Sequence, residues 1–136
     1  MESKIFTYIN TSTPPESDGP MAGTRVIVES GISVANWPCD AQSVALENYV
    51  ALEDATFILR LRNAGANFKG RTFMAELGLG LDGDTCGAAI NSGLSDVVLK
   101  TDTTGEARMA AAASGCFGFK PSYGLISRFG LFSLIP

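Results

Sequence analysis

Lys100 to Pro121 reads Lys-Thr-Asp-Thr-Thr-Gly-Glu-Ala-Arg-Met-Ala-Ala-Ala-Ala-Ser-Gly-Cys-Phe-Gly-Phe-Lys-Pro, and the rest of the chain is organised around it. The four residues before it, Asp96-Val97-Val98-Leu99, form an apolar run bounded by polar residues and too short for a helix, so a buried strand is predicted there. A sharp turn must follow. Asp102, Thr103 and Thr104 carry oxygens that can accept from the first free amides of a helix, and Gly105 allows a close backbone approach. The small residues from Gly105 to Ser114 predict a helix, which Gly115 stops. Strand, turn and helix N-terminus together aim amides at one spot, an arrangement that can hold an anion or an oxyanion. What is missing there is a nucleophile.

To either side of this stretch, the chain reads as alternating strands and helices. Met1 to Pro20 is expected to be a flexible tail, because Ser12-Thr13-Pro14-Pro15-Glu16-Ser17-Asp18-Gly19-Pro20 cannot pack; only Ile5 to Ile9 could add a short edge strand or touch a partner. The domain is expected to run from Met21 to Pro136. Thr24 to Val28 is β-branched and predicts a core strand, and Ala41 to Glu47 predicts a short helix capped by Asp40. Phe57, Ile58, Leu61 and Ala64 share one face of a helix from Ala55 to Ala64, with Gly65 as its stop. After it come Asn67-Phe68-Lys69, a turn at Gly70-Arg71-Thr72, a helical turn within Met74 to Gly80, a glycine-rich loop from Gly78 to Gly87, and a small-residue helix from Cys86 to Ser92. This order predicts an α/β fold, a mixed β-sheet with flanking helices.

Composition narrows the function. A chain of 136 residues is one domain at most and is long enough for a real core. Its 46% hydrophobic and 18% charged residues suit a globular chain that covers part of its exterior with a partner. A net charge of −4 with no cationic stripe argues against nucleic acid. There is no histidine, which removes the Ser-His-Asp triad and imidazole metal ligation. Cys39, Cys86 and Cys116 are odd in number and widely spaced, so a reducing, cytoplasmic setting is expected, and packing rather than thiol reactivity is the expected role of Cys86 and Cys116. No apolar run reaches the roughly 20 residues of a membrane span.

Several separated motifs then agree in order and distance. Asp102-Thr103-Thr104-Gly105-Glu106-Ala107-Arg108, Gly118-Phe119-Lys120-Pro121-Ser122-Tyr123-Gly124 and Ser127-Arg128-Phe129-Gly130-Leu131 are joined upstream by Leu46-Glu47-Asn48-Tyr49-Val50, Asp54-Ala55-Thr56, Ala64-Gly65-Ala66 and Gly70-Arg71-Thr72. Together they resemble the amidase signature family, whose typical runs are Asp-Thr-Gly-Gly-Ser-Ile-Arg, Gly-(apolar)-Lys-Pro-Thr-Tyr-Gly and Ser-Arg-Tyr-Gly-Leu. The resemblance covers roughly Met21 to Pro136. It implies a layered α/β amidase fold, here partial, in which Asp102, Arg108, Gly115, Lys120, Pro121, Tyr123 and Gly124 keep the structural pattern and Thr103, Thr104 and Gly105 form the former oxyanion turn.

The resemblance also implies amide hydrolysis or transfer by a Ser-Ser-Lys triad, and this chain departs from it at all three positions. The nucleophile falls on Glu106, the lysine on Glu29, and the relay serine, 24 residues before the nucleophile, on Asp82. A serine nucleophile needs a hydroxyl and a nearby base. Glu106 and Glu29 supply neither, so the family reaction is expected to be lost, with no cofactor. The family's domains are also several times longer, so the sheet edges and helix faces left bare are expected to be covered by a protein partner or by self-association.

The expected function is therefore a non-catalytic, truncated amidase-like subunit in a larger assembly. One alternative is a residual amide or ester hydrolase completed by a partner chain. Another is a small-ligand or cation-binding module in the old pocket, where Glu29, Asp82 and Glu106 would converge on Mg²⁺ or Ca²⁺. The plainer expectation for these three acids is a solvated position on a shallow surface. Asp82-Gly83-Asp84 lacks the glutamate of a calcium loop, and Gly78 to Gly87 lacks the Gly-Lys-Ser/Thr ending of a phosphate loop.

Overall fold

The computed structural model describes residues 4–13, 16–80 and 85–132. Its elements in chain order are β1 (Phe6–Ile9), β2 (Arg25–Glu29), α1 (Thr56–Asn63), β3 (Asn67–Thr72), α2 (Cys86–Asn91), β4 (Val97–Leu99) and α3 (Glu106–Ser114), with single 3-10 turns at Val44–Leu46 and Glu76–Gly78. The strands form one sheet in the order β1-β3-β2-β4. β2 runs parallel to β3 and β4, whereas β1 is antiparallel to β3, so the sheet is mixed and the fold is α/β.

β2 is the axis of the core. Val26, Ile27 and Val28 have no exposure, as expected of a parallel strand covered on both faces. Successive side chains point to opposite faces. Val26 and Val28 accordingly pack with Ile32, Val34, Trp37, Ala55, Ile58 and Phe68 beneath α1, and Ile27 meets Ile5 and Ala89 of α2 on the other side. The two following helices lie close together because Gly87 has no Cβ; one placed there would collide with the Ser114 side chain of α3. Ile58 is fully buried at the centre of α1. Ile58→Ala is therefore expected to lower stability by about 3 kcal/mol, read as a lower urea midpoint with an unchanged slope.

Three expectations from the sequence are corrected by this fold. First, the segment expected as a flexible tail from Met1 to Pro20 contributes β1, the short edge strand allowed for at Ile5 to Ile9, and Ile5 is 4% exposed. The alternation of Phe6 and Tyr8, half-buried, with Thr7 and Ile9, exposed, is that of an edge strand with one covered face. Second, Gly70-Arg71-Thr72 is not a turn but the end of β3. The glycine serves a close approach instead: a Cβ on Gly70 would stand 2.9 Å from the Phe6 ring of β1. Lys69 is the extra residue of a bulge, since Val26 faces Phe68 and Ile27 faces Gly70. Third, no helix runs from Ala41 to Glu47. Ala41 and Gln42 have φ of 47° and 55°, outside the right-handed helical region, and only Val44–Leu46 makes one 3-10 turn, begun by Ser43. Asp40 accepts from the Gln42 amide at 2.9 Å rather than capping a helix.

Among the described residues no helix is long and apolar enough to cross a membrane.

Candidate functional site

The parallel pairing of β2 with β4 builds the site. Val28 faces Leu99, so the residues that follow, Glu29 on one strand and Lys100 and Thr101 after the other, emerge side by side. Glu29 is 2% exposed. Its Oε2 accepts from the Thr101 amide at 2.8 Å and the Thr101 hydroxyl at 2.7 Å, and Lys100 Nζ lies 3.9 Å from Oε1. Arg71, 1% exposed, fixes the chain on the other side by donating from Nη1 to the carbonyls of Glu29 at 3.0 Å and Ile32 at 2.7 Å. Its guanidinium lies 5.7 Å from the Trp37 ring, and burial pulls its pKa below the usual arginine range.

The turn after β4 carries Glu106 into the same place. This residue opens α3, is 9% exposed, and folds back onto its own turn. Its Oε2 accepts from the amides of Thr104 at 2.8 Å and Gly105 at 3.0 Å, while Oε1 accepts from the Thr104 hydroxyl at 2.8 Å. Burial pushes this carboxyl up, but the amides of residues 104 to 106 and the Thr104 hydroxyl outweigh it and hold the pKa below the ordinary glutamate value. Glu29, Lys100, Thr101 and Glu106 line a cavity of about 220 Å³ together with the apolar side chains of Met74 and Met109.

The expectation of solvated acids on a shallow surface is thus corrected for two of the three positions. Glu29 and Glu106 are buried and share one cavity, because strand pairing and the back-folded turn bring them inward. Asp82, with the Asp82-Gly83-Asp84 loop, lies outside the described residues. Among those described, no three His, Cys, Asp or Glu side chains group as a metal site.

Asp102, Thr103 and Thr104 do not cap α3 with their side chains; Gly105 is its N-cap, at φ 125°, and Thr103 is exposed. Asp102 is drawn away by stronger donors. Arg108 grips it with Nε and Nη2, both at 3.0 Å, and Lys120 Nζ reaches its Oδ1 at 3.2 Å as well as its backbone carbonyl. The Arg108 hydrogen bonds, opposed by burial and helped by Lys120, lower the Asp102 pKa to about 2. A carboxyl depressed below its unfolded value of about 3.9 contributes stability that is fully present above that value and lost as pH falls toward the folded one. The wild-type protein is therefore expected to lose stability relative to Asp102→Asn between about pH 4 and the folded pKa of about 2, measured as urea midpoints across that range.

The remaining motif residues hold the backbone. Gly115 ends α3 in the left-handed region at φ 68°, and a Cβ on Gly118 would stand 2.7 Å from that of Ala111. Pro121 is half-buried, Gly124 turns the chain at φ 83°, and the exposed Tyr123 ring lies 4.9 Å from the Arg128 guanidinium. Cys39 and Cys86 are buried, Cys116 is half-buried, and all three are thiols outside any disulfide. Burial pushes the Cys39 thiol up.

Lys100, Thr101 and Arg71 were not identifiable as site residues from sequence. The missing signal is the parallel register of β2 with β4, between residues some seventy positions apart, and for Arg71 that of β2 with β3, some forty positions apart. The chemistry of the arrangement is that of a polar cluster bonded within itself. The amides of Thr104 and Gly105 are engaged by the chain's own carboxylate, and a lysine ammonium balances the second buried acid.

Comparison with known proteins agrees with this fold. The family model described as Amidase matches residues 6–86 and 85–135. The A subunit of glutamyl-tRNA(Gln) amidotransferase from Haloarcula marismortui is 37% identical over 136 aligned residues, covering 84% of this chain and 32% of the relative; that of Campylobacter hominis is 35% identical, covering 93% and 33%. Among solved structures, the corresponding protein of Thermotoga maritima superposes with a TM-score of 0.85 at 27% identity, over 95% of this chain and 33% of its own. A chain from a vestigial protein complex that reveals the evolutionary origins of an s-triazine catabolic enzyme gives 0.80 at 27% identity, over 87% and 31%. The chain spans about a third of the length of these relatives. With its motifs, its sheet and these matches in agreement, the chain belongs to the amidase signature family.

Proposed function

We propose that this chain is a non-catalytic amidase-like component of a larger protein assembly. One observation carries the reading: the position that the family resemblance assigns to the nucleophile holds Glu106, whose carboxylate fills the amides that would otherwise receive an oxyanion. A fixed negative charge there opposes the charge that develops in acyl transfer. The second acid, Glu29, stands where the resemblance expects the lysine, and it accepts hydrogen bonds from Thr101 rather than a proton from a nucleophile. Relatives named as components of an amidotransferase, and a structural neighbour described as a protein complex, support an assembly. The unbridged thiols suit a reducing cytoplasm.

Isolation under native conditions tests the reading. The expected result is a mass well above the 14.3 kDa of one chain, with no turnover of glutamine or simple primary amides. A folded, soluble monomer without a partner would end the proposal.

The cavity favours a second reading, a small-ligand module in the old pocket, because Glu29, Lys100 and Glu106 face about 220 Å³ of space. Titration calorimetry with Mg²⁺ and Ca²⁺ addresses its cation form; absence of heat removes it.

A further inference from the structure

Arg71 carries more hydrogen-bonding capacity than the fold around it uses. Val28 faces Arg71 in the pairing of β2 with β3, so the arginine side chain enters the face of the sheet that holds Val28 and Trp37, and it does not line the cavity of Glu29. Nη1 donates to the carbonyls of Glu29 and Ile32. Nε and Nη2, on a residue 1% exposed, have no hydrogen-bond partner. Neither has the hydroxyl of Ser30, also 1% exposed, which lies in the turn between those two carbonyls. Buried polar side-chain atoms are nearly always paired. Three unpaired ones at a single turn mark a place for a ligand.

The donors say which kind. A guanidinium stays protonated in a protein and offers N–H groups only. A water held by Nε and Nη2 would need acceptors for both of its own hydrogens, and Ser30 Oγ offers one at most. The carbonyls of the turn are engaged: that of Glu29 accepts from the Ile32 amide as well as from Arg71, that of Ser30 from the Ala41 amide, and that of Gly31 from the Phe132 amide. Charge makes the same demand. Among the described residues no carboxylate forms an ion pair with Arg71; Asp40 acts on it through space, with its Oδ1 bound to Gln42. The buried Cys39 thiol is close enough to feel the guanidinium, but burial pushes it up, and a neutral thiol is a weak acceptor. A buried cation without a counter-charge is costly. An anion accepts from every donor present and neutralises the charge at once. With Ile32, Val34 and Cys39 at 0–1% exposure around the turn, the ion must be compact.

We propose that Arg71 and Ser30 hold a monovalent anion of halide size, chloride in the first instance, beneath the turn at 29–32. The ion ties this turn to β3 and so supports the strand end from which Glu29 emerges.

The test uses the 136-residue chain with chloride and bromide themselves as probes. Urea unfolding is compared in sodium chloride and sodium gluconate at equal ionic strength. At fixed urea the ratio of folded to unfolded chain is expected to rise at least about tenfold in chloride, the factor 1 + [L]/Kd reached once the ion exceeds its Kd about tenfold. Ser30→Ala should reduce that factor and Arg71→Met should abolish it. Crystals of the unaltered chain grown in sodium bromide give a reading that needs no variant: an anomalous peak is expected between the Arg71 guanidinium and Ser30. Equal stability in the two salts overturns the proposal, as does a water without anomalous signal at that position. A chloride effect unchanged by both substitutions places the ion elsewhere and also overturns it. Thiolate absorbance in gluconate that Cys39→Ser removes would make the chain's own sulfur the counter-ion, with the same consequence.

Discussion

Glu106→Ser is expected to lower the unfolding free energy by about 2 kcal/mol and to produce no amide turnover. The carboxylate receives hydrogen bonds from two backbone amides and one hydroxyl at 2.8 to 3.0 Å in a position 9% exposed. Hydrogen bonds to a charged group contribute about 1.5–3 kcal/mol each. The full sum is not lost, because the shorter serine leaves room for water from the adjoining cavity to meet the freed amides. The catalytic half of the expectation follows from the neighbours. A serine at this position needs an available base, and of the groups lining the same cavity Glu29 is engaged with Thr101 and the Lys100 ammonium is paired with Glu29. Members of a catalytic unit act together, so restoring one of three returns almost nothing. Urea unfolding and a continuous ammonia-release assay on the same preparation check both halves.

Glu29→Leu is expected to be more damaging, at about 3–4 kcal/mol. It strips the acceptor from the Thr101 amide and hydroxyl and removes a carboxylate beside Lys100, whose side chain is only 10% exposed. Breaking a buried ion pair by removing one partner costs several kcal/mol, whereas replacing both with apolar groups is often close to neutral. Glu29→Leu combined with Lys100→Met should therefore recover at least half of the loss. If Lys100→Met alone is neutral and the double variant recovers nothing, the ammonium is not the group that Glu29 compensates. Urea midpoints of the four proteins in the cycle give the coupling.

The sheet was legible where side-chain pattern carries the signal. Thr-Arg-Val-Ile-Val at 24–28 and Asp-Val-Val-Leu at 96–99 announced β2 and β4, and the apolar face of Phe57, Ile58 and Leu61 announced α1. It was illegible where backbone conformation overrides composition. Gly70 looks like a turn residue, yet it is a strand residue whose lack of a side chain admits β1, and Ala41 and Gln42 look helical while adopting positive φ. The candidate site was half legible. Aligning motifs pointed to Glu29 and Glu106, but their burial, and the contribution of Lys100 and Thr101, depend on the register of two strands far apart in sequence. The role of Asp102 was misread for a related reason. A helix-capping oxygen is open to every donor in reach, and Arg108 with Lys120 outcompetes the amides.

The proposed loss of catalysis rests on the turn at Thr104 and Gly105, whose amides donate to the Glu106 carboxylate. Incubation of the purified chain with a fluorophosphonate, followed by intact-mass measurement, probes this at the one atom that matters. The unmodified mass is expected after prolonged exposure; a stoichiometric adduct on a serine of this chain, accompanied by loss of measurable amide turnover, would contradict it.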